Sequence, residues 1–205
     1  MARAESWRGS PTATSHWEFS RLLRELKPSQ KKDVFYDLGC GYAFPCIWIA
    51  PKVKLAVGIE NFGPRHKRAV SNVRKSGLGN IRIFKKSFQS VPLNEATIIH
   101  CVVLLSLPEY KKIEHESVYG TILALCYPPM YPIKARKIDG YYLMKVPLER
   151  VKDSNEYARI ISGRKNATIE EIQNSFFPNR LDSRNLKWQI SHADYVWKKL
   201  KTEST

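Results

Sequence analysis

The stretch YDLGCGYAFP, residues 36–45, follows an apolar run, VFYDL (34–38), that carries one carboxylate, Asp37, and then breaks into Gly39-Cys40-Gly41. A buried strand that ends in an acid and two glycines is either a tight turn or the mouth of a ligand site. In open α/β sheets, ligands sit beyond the carboxyl ends of the strands, where glycine lets the backbone approach them closely. Pro45 is placed to open the next helix. A second acid closes the following apolar run, LAVGIE (55–60). Glu60 stands 23 residues after Asp37, where an acid would accept the two hydroxyl hydrogens of a ribose.

Working outward, four more short runs rich in β-branched or aromatic residues read as strands: IRIFKKSF (81–88), ATIIHCVVLL (96–105), GTILALCY (120–127) and GYYLMKV (140–146). Helical stretches lie between them. WEFSRLLREL (17–26) spaces its apolar residues by three and four. PRHKRAVSNVRKSG (64–77) opens on proline and stops at glycine, and PEYKKIEHESVYG (108–120) repeats that design. Strands alternating with helices predict an open, mostly parallel sheet covered on both faces.

The strand pattern ends near residue 150. TIEEIQNSFF (168–177) and SHADYVWKKLK (191–201) each begin like a capping box, Thr168 with Glu171 and Ser191 with Asp194. Three regions are expected: an arm and first helix over 1–33, a ligand-binding domain over 34–150, and a mostly helical extension over 151–205. The last is about 55 residues, marginal for an independent domain, so it is expected to pack on the sheet.

Lys and Arg exceed Asp and Glu by 15 among the 205 residues. Residues 51–90 hold Lys52, Lys54, Arg65, Lys67, Arg68, Arg74, Lys75, Arg82, Lys85 and Lys86 against a single acid, Glu60. Such a field suits DNA or RNA contact through residues 52–86, or it is simply a solvated face; charge alone supplies no chemistry. No apolar run approaches membrane-spanning length, and the amino-terminal residues lack the apolar core of a secretory signal, so a cytoplasmic, nucleoid or nuclear location is expected. Cys40, Cys46, Cys101 and Cys126 show no metal or redox spacing, and no metal is implied.

The bound nucleoside is not expected to be a dinucleotide. Phe44 takes the place of the third glycine of a pyrophosphate loop, and Asp37 would repel a phosphate. An acid there suits a ligand with a positive amine, and S-adenosylmethionine has an amine, an adenosine and no phosphate. The stretches Asp37-Leu38-Gly39-Cys40-Gly41 and Gly58-Ile59-Glu60 resemble the class I S-adenosylmethionine-dependent methyltransferases. The resemblance covers about residues 10–147 and implies a Rossmann-like, seven-stranded sheet. By position it places Asp37 and Gly39 near the methionine end of the cofactor, Gly41 and Tyr42 against it, Glu60 on the ribose, and Ser87 and Phe88 beside the adenine.

Ser10-Pro11-Thr12-Ala13-Thr14, Lys86-Ser87-Phe88 and Glu95-Ala96-Thr97-Ile98-Ile99 look more narrowly like the non-SET protein-lysine methyltransferases, archaeal and histone-directed. That likeness implies Thr12 or Thr14 at the cofactor carboxylate and a lysine-bearing, chromatin-type protein as substrate. A substrate lysine must lose its proton before attack, and an apolar channel favours the neutral amine. Trp7, Tyr127 and Tyr131 are the channel candidates, although each also reads as ordinary core. The alternative is an RNA or DNA methyltransferase; the end of the fourth run, HCVVLLSLP, lacks the Asn/Asp-Pro-Pro motif of base-amine enzymes. A non-enzymatic binding module of the same fold is the third reading. His100, inside an apolar strand, reads first as a hydrogen-bonded core group.

Overall fold

The computed structural model describes residues 14–175 and 180–202. Seven strands form one sheet: β1 (Val34–Leu38), β2 (Leu55–Ile59), β3 (Ile81–Phe84), β4 (Ile98–Cys101), β5 (Ile122–Leu125), β6 (Arg136–Ile138) and β7 (Tyr141–Lys145). Their order across the sheet is β3-β2-β1-β4-β5-β7-β6. The first five run parallel, while β7 is antiparallel to both β5 and β6. Chain order reverses between β1 and β4, which opens a crevice at their carboxyl ends.

Helices cover both faces, as the unbroken apolar strands demand. Alternate residues of β1 serve opposite layers. Phe35 faces α1 (His16–Leu26), α2 (Phe44–Ile49) and α3 (Gly63–Ser76). Val34, Tyr36 and Leu38 face the layer built by α4 (Leu107–Glu116), α5 (Ser154–Ser162), α6 (Ile169–Ser175), α7 (Arg180–Ser191) and α8 (Ala193–Lys201). The carboxyl-terminal helices therefore pack on the sheet. Their contacts are polar as well as apolar: Tyr142 Oη donates to the Ile161 carbonyl, Tyr131 N donates to Gln189, and Lys201 pairs with Glu114.

Local chemistry explains the boundaries. Ser15 caps α1 by accepting from Glu18 N, and Ser106 with Glu109 makes a capping box for α4 that the sequence pattern did not single out. Thr168 and Glu171 form the expected box, each receiving the other's backbone N–H. The expected Ser191–Asp194 box is absent. Ser191 ends α7, with its hydroxyl on the Lys187 and Trp188 carbonyls, and Asp194 pairs with Arg150. Strand β6, Arg136-Lys137-Ile138, escaped notice because it is short, charged and at the sheet edge.

Gly58, in the middle of β2, has no room for a side chain. A Cβ there would lie 2.7 Å from Ile83 Cδ1 and 2.8 Å from Cys40 Sγ. Gly58→Ala is expected to push on the glycine loop after β1 and to cost about 1–3 kcal/mol of stability. Urea titration of parent and variant measures this, and an unchanged midpoint would show that the loop yields freely.

Candidate cofactor crevice

The loop after β1 is held by the end of β2. Gly39 N and Cys40 N both donate to the Ile59 carbonyl, at 2.9 and 3.0 Å. Gly39 (φ +78°) and Gly41 (φ +55°) adopt left-handed backbone that a side chain would strain, so the two glycines of the motif are needed for the turn itself. Glu60 then ties the loops together. Its Oε2 accepts Gly41 N at 3.0 Å and its Oε1 accepts Phe62 N at 2.9 Å, with the residue 4% exposed. Each oxygen retains a lone pair for a hydroxyl donor. Tyr42 helps fix the same loop, its carbonyl accepting from Asn72 of α3 at 3.1 Å.

Asp37 sits where the sequence places it. Its carboxylate is buried, and Oδ1 lies 2.7 Å from His100 Nδ1. One oxygen of Asp37 is thus engaged by the imidazole of the neighbouring strand. The cause is register: Asp37 of β1 and His100 of β4 are direct partners, so their side chains leave the same face of a parallel pair. His100 is wedged among Phe19, Phe35 and Tyr141, with ring centroids 5.4 to 6.0 Å away. Burial alone would push the imidazole's pKa down; Asp37 outweighs it and raises it from 6.5 to about 9.

Beyond this pair the polar groups continue toward the strand ends. Cys126 lies next to His100, and Tyr141 faces both Cys126 and Thr14. Among the described residues, His100 Nε2, Tyr141 Oη and Thr14 Oγ1 are buried without a partner in hydrogen-bonding geometry. Thr14 is therefore brought to this polar row. Trp7 and Thr12 lie outside the described residues. Ser87 is exposed and caps the short turn Phe88–Ser90, while Phe88 is partly buried against the core. Tyr127 is half-buried just beyond β5. Tyr131 is 6% exposed and packs edge-on against Tyr157 of α5, in the opposite layer from α1. Its aromatic ring is core, as the apolar run around it allows.

The lip after β4 was missed as a site feature. Val103 and Leu104 are 40% and 66% exposed, and Val103 Cγ1 lies 3.9 Å from the position a Gly39 Cβ would take. Both residues continue the apolar run of β4, so the sequence showed strand where the chain has already left the sheet. Among the described residues no group of three or more His, Cys, Asp or Glu could hold a metal, and no helix is long and apolar enough to cross a membrane.

The sheet order, the crevice and the comparisons define the class. No family model matches the chain. A curated protein-lysine N-methyltransferase of Saccharolobus islandicus is 38% identical over 106 residues, spanning 49% of this chain and 65% of that protein. The chain thus covers less than two thirds of the length of the curated relative it matches. Among solved structures, an RNA methyltransferase from Salinibacter ruber in complex with S-adenosyl-L-homocysteine superposes with a TM-score of 0.55. It is 21% identical and covers 69% of this chain and 97% of that one. A tRNA (m1A58) methyltransferase from Aquifex aeolicus gives a TM-score of 0.51 at 15% identity, over 58% of this chain and 49% of its own. The chain has the class I methyltransferase fold: a mostly parallel, Rossmann-like sheet flanked by helices, with a helical carboxyl-terminal extension. That fold implies S-adenosylmethionine, and the residues fit it: a two-glycine loop, a carboxylate fixed at the end of β2, and an apolar lip beside them.

The Asp37–His100 pair carries a pH signature. With its folded pKa raised, the imidazole's contribution is fully present below pH 6.5 and is lost as pH rises through about 9. Denaturant titrations at intervals across that window should show parent stability falling relative to His100→Gln by on the order of a few kcal/mol. A difference that stays constant with pH would mean the imidazole is neutral throughout.

Proposed function

We propose that the chain is an S-adenosylmethionine-dependent methyltransferase acting on a macromolecule. The observation that carries this is the Glu60 clamp, a buried carboxylate bridging the loops after β1 and β2 with lone pairs left for a ribose diol. When bound, the cofactor supplies an electrophilic sulfonium methyl. The protein's part is alignment and exclusion of water. Gly39 and Gly41 allow close approach, Glu60 fixes the nucleoside end, and Val103 and Leu104 present an apolar lip toward the acceptor. Asp37 acts through His100, holding the floor of the crevice rigid.

Two acceptors have support from different observations. RNA has the wider base: the solved relatives described above are RNA methyltransferases, and residues 51–90 are strongly basic. A shared fold does not choose an acceptor, so the weight of this reading rests on the charge. The amine of a protein lysine has the nearer relative, 38% identical, and suits the lip after β4. An apolar lip disfavours the charged ammonium and so favours the nucleophilic form.

Calorimetry with S-adenosylmethionine tests the crevice. Glu60→Ala is expected to weaken binding at least tenfold, since it removes both the diol acceptor and the loop clamp. Parent-like affinity in that variant would sink the assignment of the crevice. Incubation with methyl-labelled cofactor and a host extract, followed by nuclease or protease digestion, then identifies the acceptor. Label removed by nuclease assigns RNA, label on lysine assigns protein, and no label in either overturns the enzymatic reading.

A further inference from the structure

Between Glu60 and Glu95 the sequence has no Asp or Glu at all, yet it carries eight Lys and Arg. This stretch holds α3 and the strand it flanks, β3, one of the two edges of the sheet. All eight cationic side chains are exposed. Elsewhere acids are interspersed with the cations, and some of the cations are paired although many are not. Among the described residues, Arg21, Lys112, Lys134, Arg136, Arg150, Arg164 and Lys201 each reach a carboxylate, whereas no ion pair includes a residue of 61–94. A generally basic protein would mix its signs on every face. Here the counter-charge has been left off one edge.

The edge also has a direction. At the carboxyl ends of β2 and β3, beside Glu60, Phe62 is 54% exposed and the Arg65 guanidinium lies over its ring at 5.6 Å. Lys85 Nζ comes within 3.7 Å of where a Gly63 Cβ would stand, so Arg65 and Lys85 flank the same loop. Phe84 is also partly open, at 37%. From there Arg74 and Lys75 extend the charge about 15 Å along α3, and Arg82 continues it on β3. A row of unpaired cations that ends on exposed aromatic rings matches a phosphate backbone followed by unstacked bases. Single-stranded nucleic acid uses both parts of this pattern, and anionic vesicles serve as the control for a lipid surface.

We propose that the α3–β3 edge is a docking track for single-stranded nucleic acid, with Phe62 as its stacking platform next to the cofactor crevice. The track stands whether the methylated group is on RNA or on a protein bound to it, and it needs no cofactor.

Fluorescence anisotropy with a labelled mixed-sequence RNA strand, its DNA counterpart, the corresponding duplexes and anionic vesicles tests it in the absence of S-adenosylmethionine. If about half of the eight cations contact phosphates, log affinity should fall against log salt with a slope of about −3. Arg65→Glu/Lys85→Glu/Lys86→Glu should weaken single-strand binding at least about tenfold and flatten that slope. Phe62→Ala should weaken it about fivefold while leaving duplex affinity unchanged. Lys134→Glu/Arg136→Glu, on the far edge of the sheet, should stay within about twofold of parent. All the substituted residues are exposed, and circular dichroism checks that each variant is folded. Absence of binding at low salt, equal losses in the far-edge control, or vesicle or duplex binding as tight as single-strand binding would each overturn the proposal.

Discussion

One carboxylate holds the crevice in shape. Glu60 accepts a backbone N–H from each of the two loops that form the mouth, Gly41 on one side and Phe62 on the other. These loops belong to strands that are already paired, and the Ile59 carbonyl at the end of β2 takes two further N–H groups from the first loop. The outcome is a preorganised cradle whose geometry does not depend on a ligand. A buried carboxylate is tolerated here because charge-assisted hydrogen bonds meet it on both oxygens. Under the proposed function the same residue serves the fold and the cofactor, so loss of its side chain bears on both.

The second carboxylate of the crevice has a different task. Asp37 lies one strand away on the face covered by α1, and register hands it His100 as a neighbour. An isolated acid or an isolated imidazole would each be costly in a layer of Phe19, Phe35 and Tyr141; as a pair they neutralise one another. Burial pushes the thiols of Cys40, Cys46 and Cys101 upward, so these three act as small apolar fillers around the pair. The pair thus separates the crevice mouth, which is polar and open to a ligand, from the packed layer beneath it.

Much of this was legible in the residues. Apolar runs broken by glycine and proline marked β1, β2, β5, β7 and the stop of α3, because parallel strands buried on both faces leave an unbroken apolar signature. The placing of Gly39 and Gly41 at the end of β1 and of Glu60 just beyond β2 could be read from spacing alone. Other features were hidden for definite reasons. Pairing across the sheet sets the fate of Asp37, and 63 residues separate it from His100. An apolar lip and an apolar strand look alike in sequence, so Val103 and Leu104 were absorbed into β4. Tyr131 shares its composition with a channel aromatic, yet the antiparallel return of β7 and the carboxyl-terminal helices bury it in the opposite layer.

Charge and topology together give the molecule its polarity. The reversal of strand order places the crevice between β1 and β4, and it also leaves β3 as an edge with α3 alongside. An edge strand needs protection against pairing with other chains, and charged side chains provide it. Mixed charges would serve that purpose equally well. The uniform sign of residues 61–94 therefore calls for a reason beyond edge protection, and the position of Phe62 next to Glu60 supplies one. On the proposed reading, a strand held by the positive edge would reach the loops that Glu60 clamps, and attraction along α3 and β3 would raise its local concentration there. The lip after β4, beside Gly39, is the other feature that the proposed function would place near a transferred methyl.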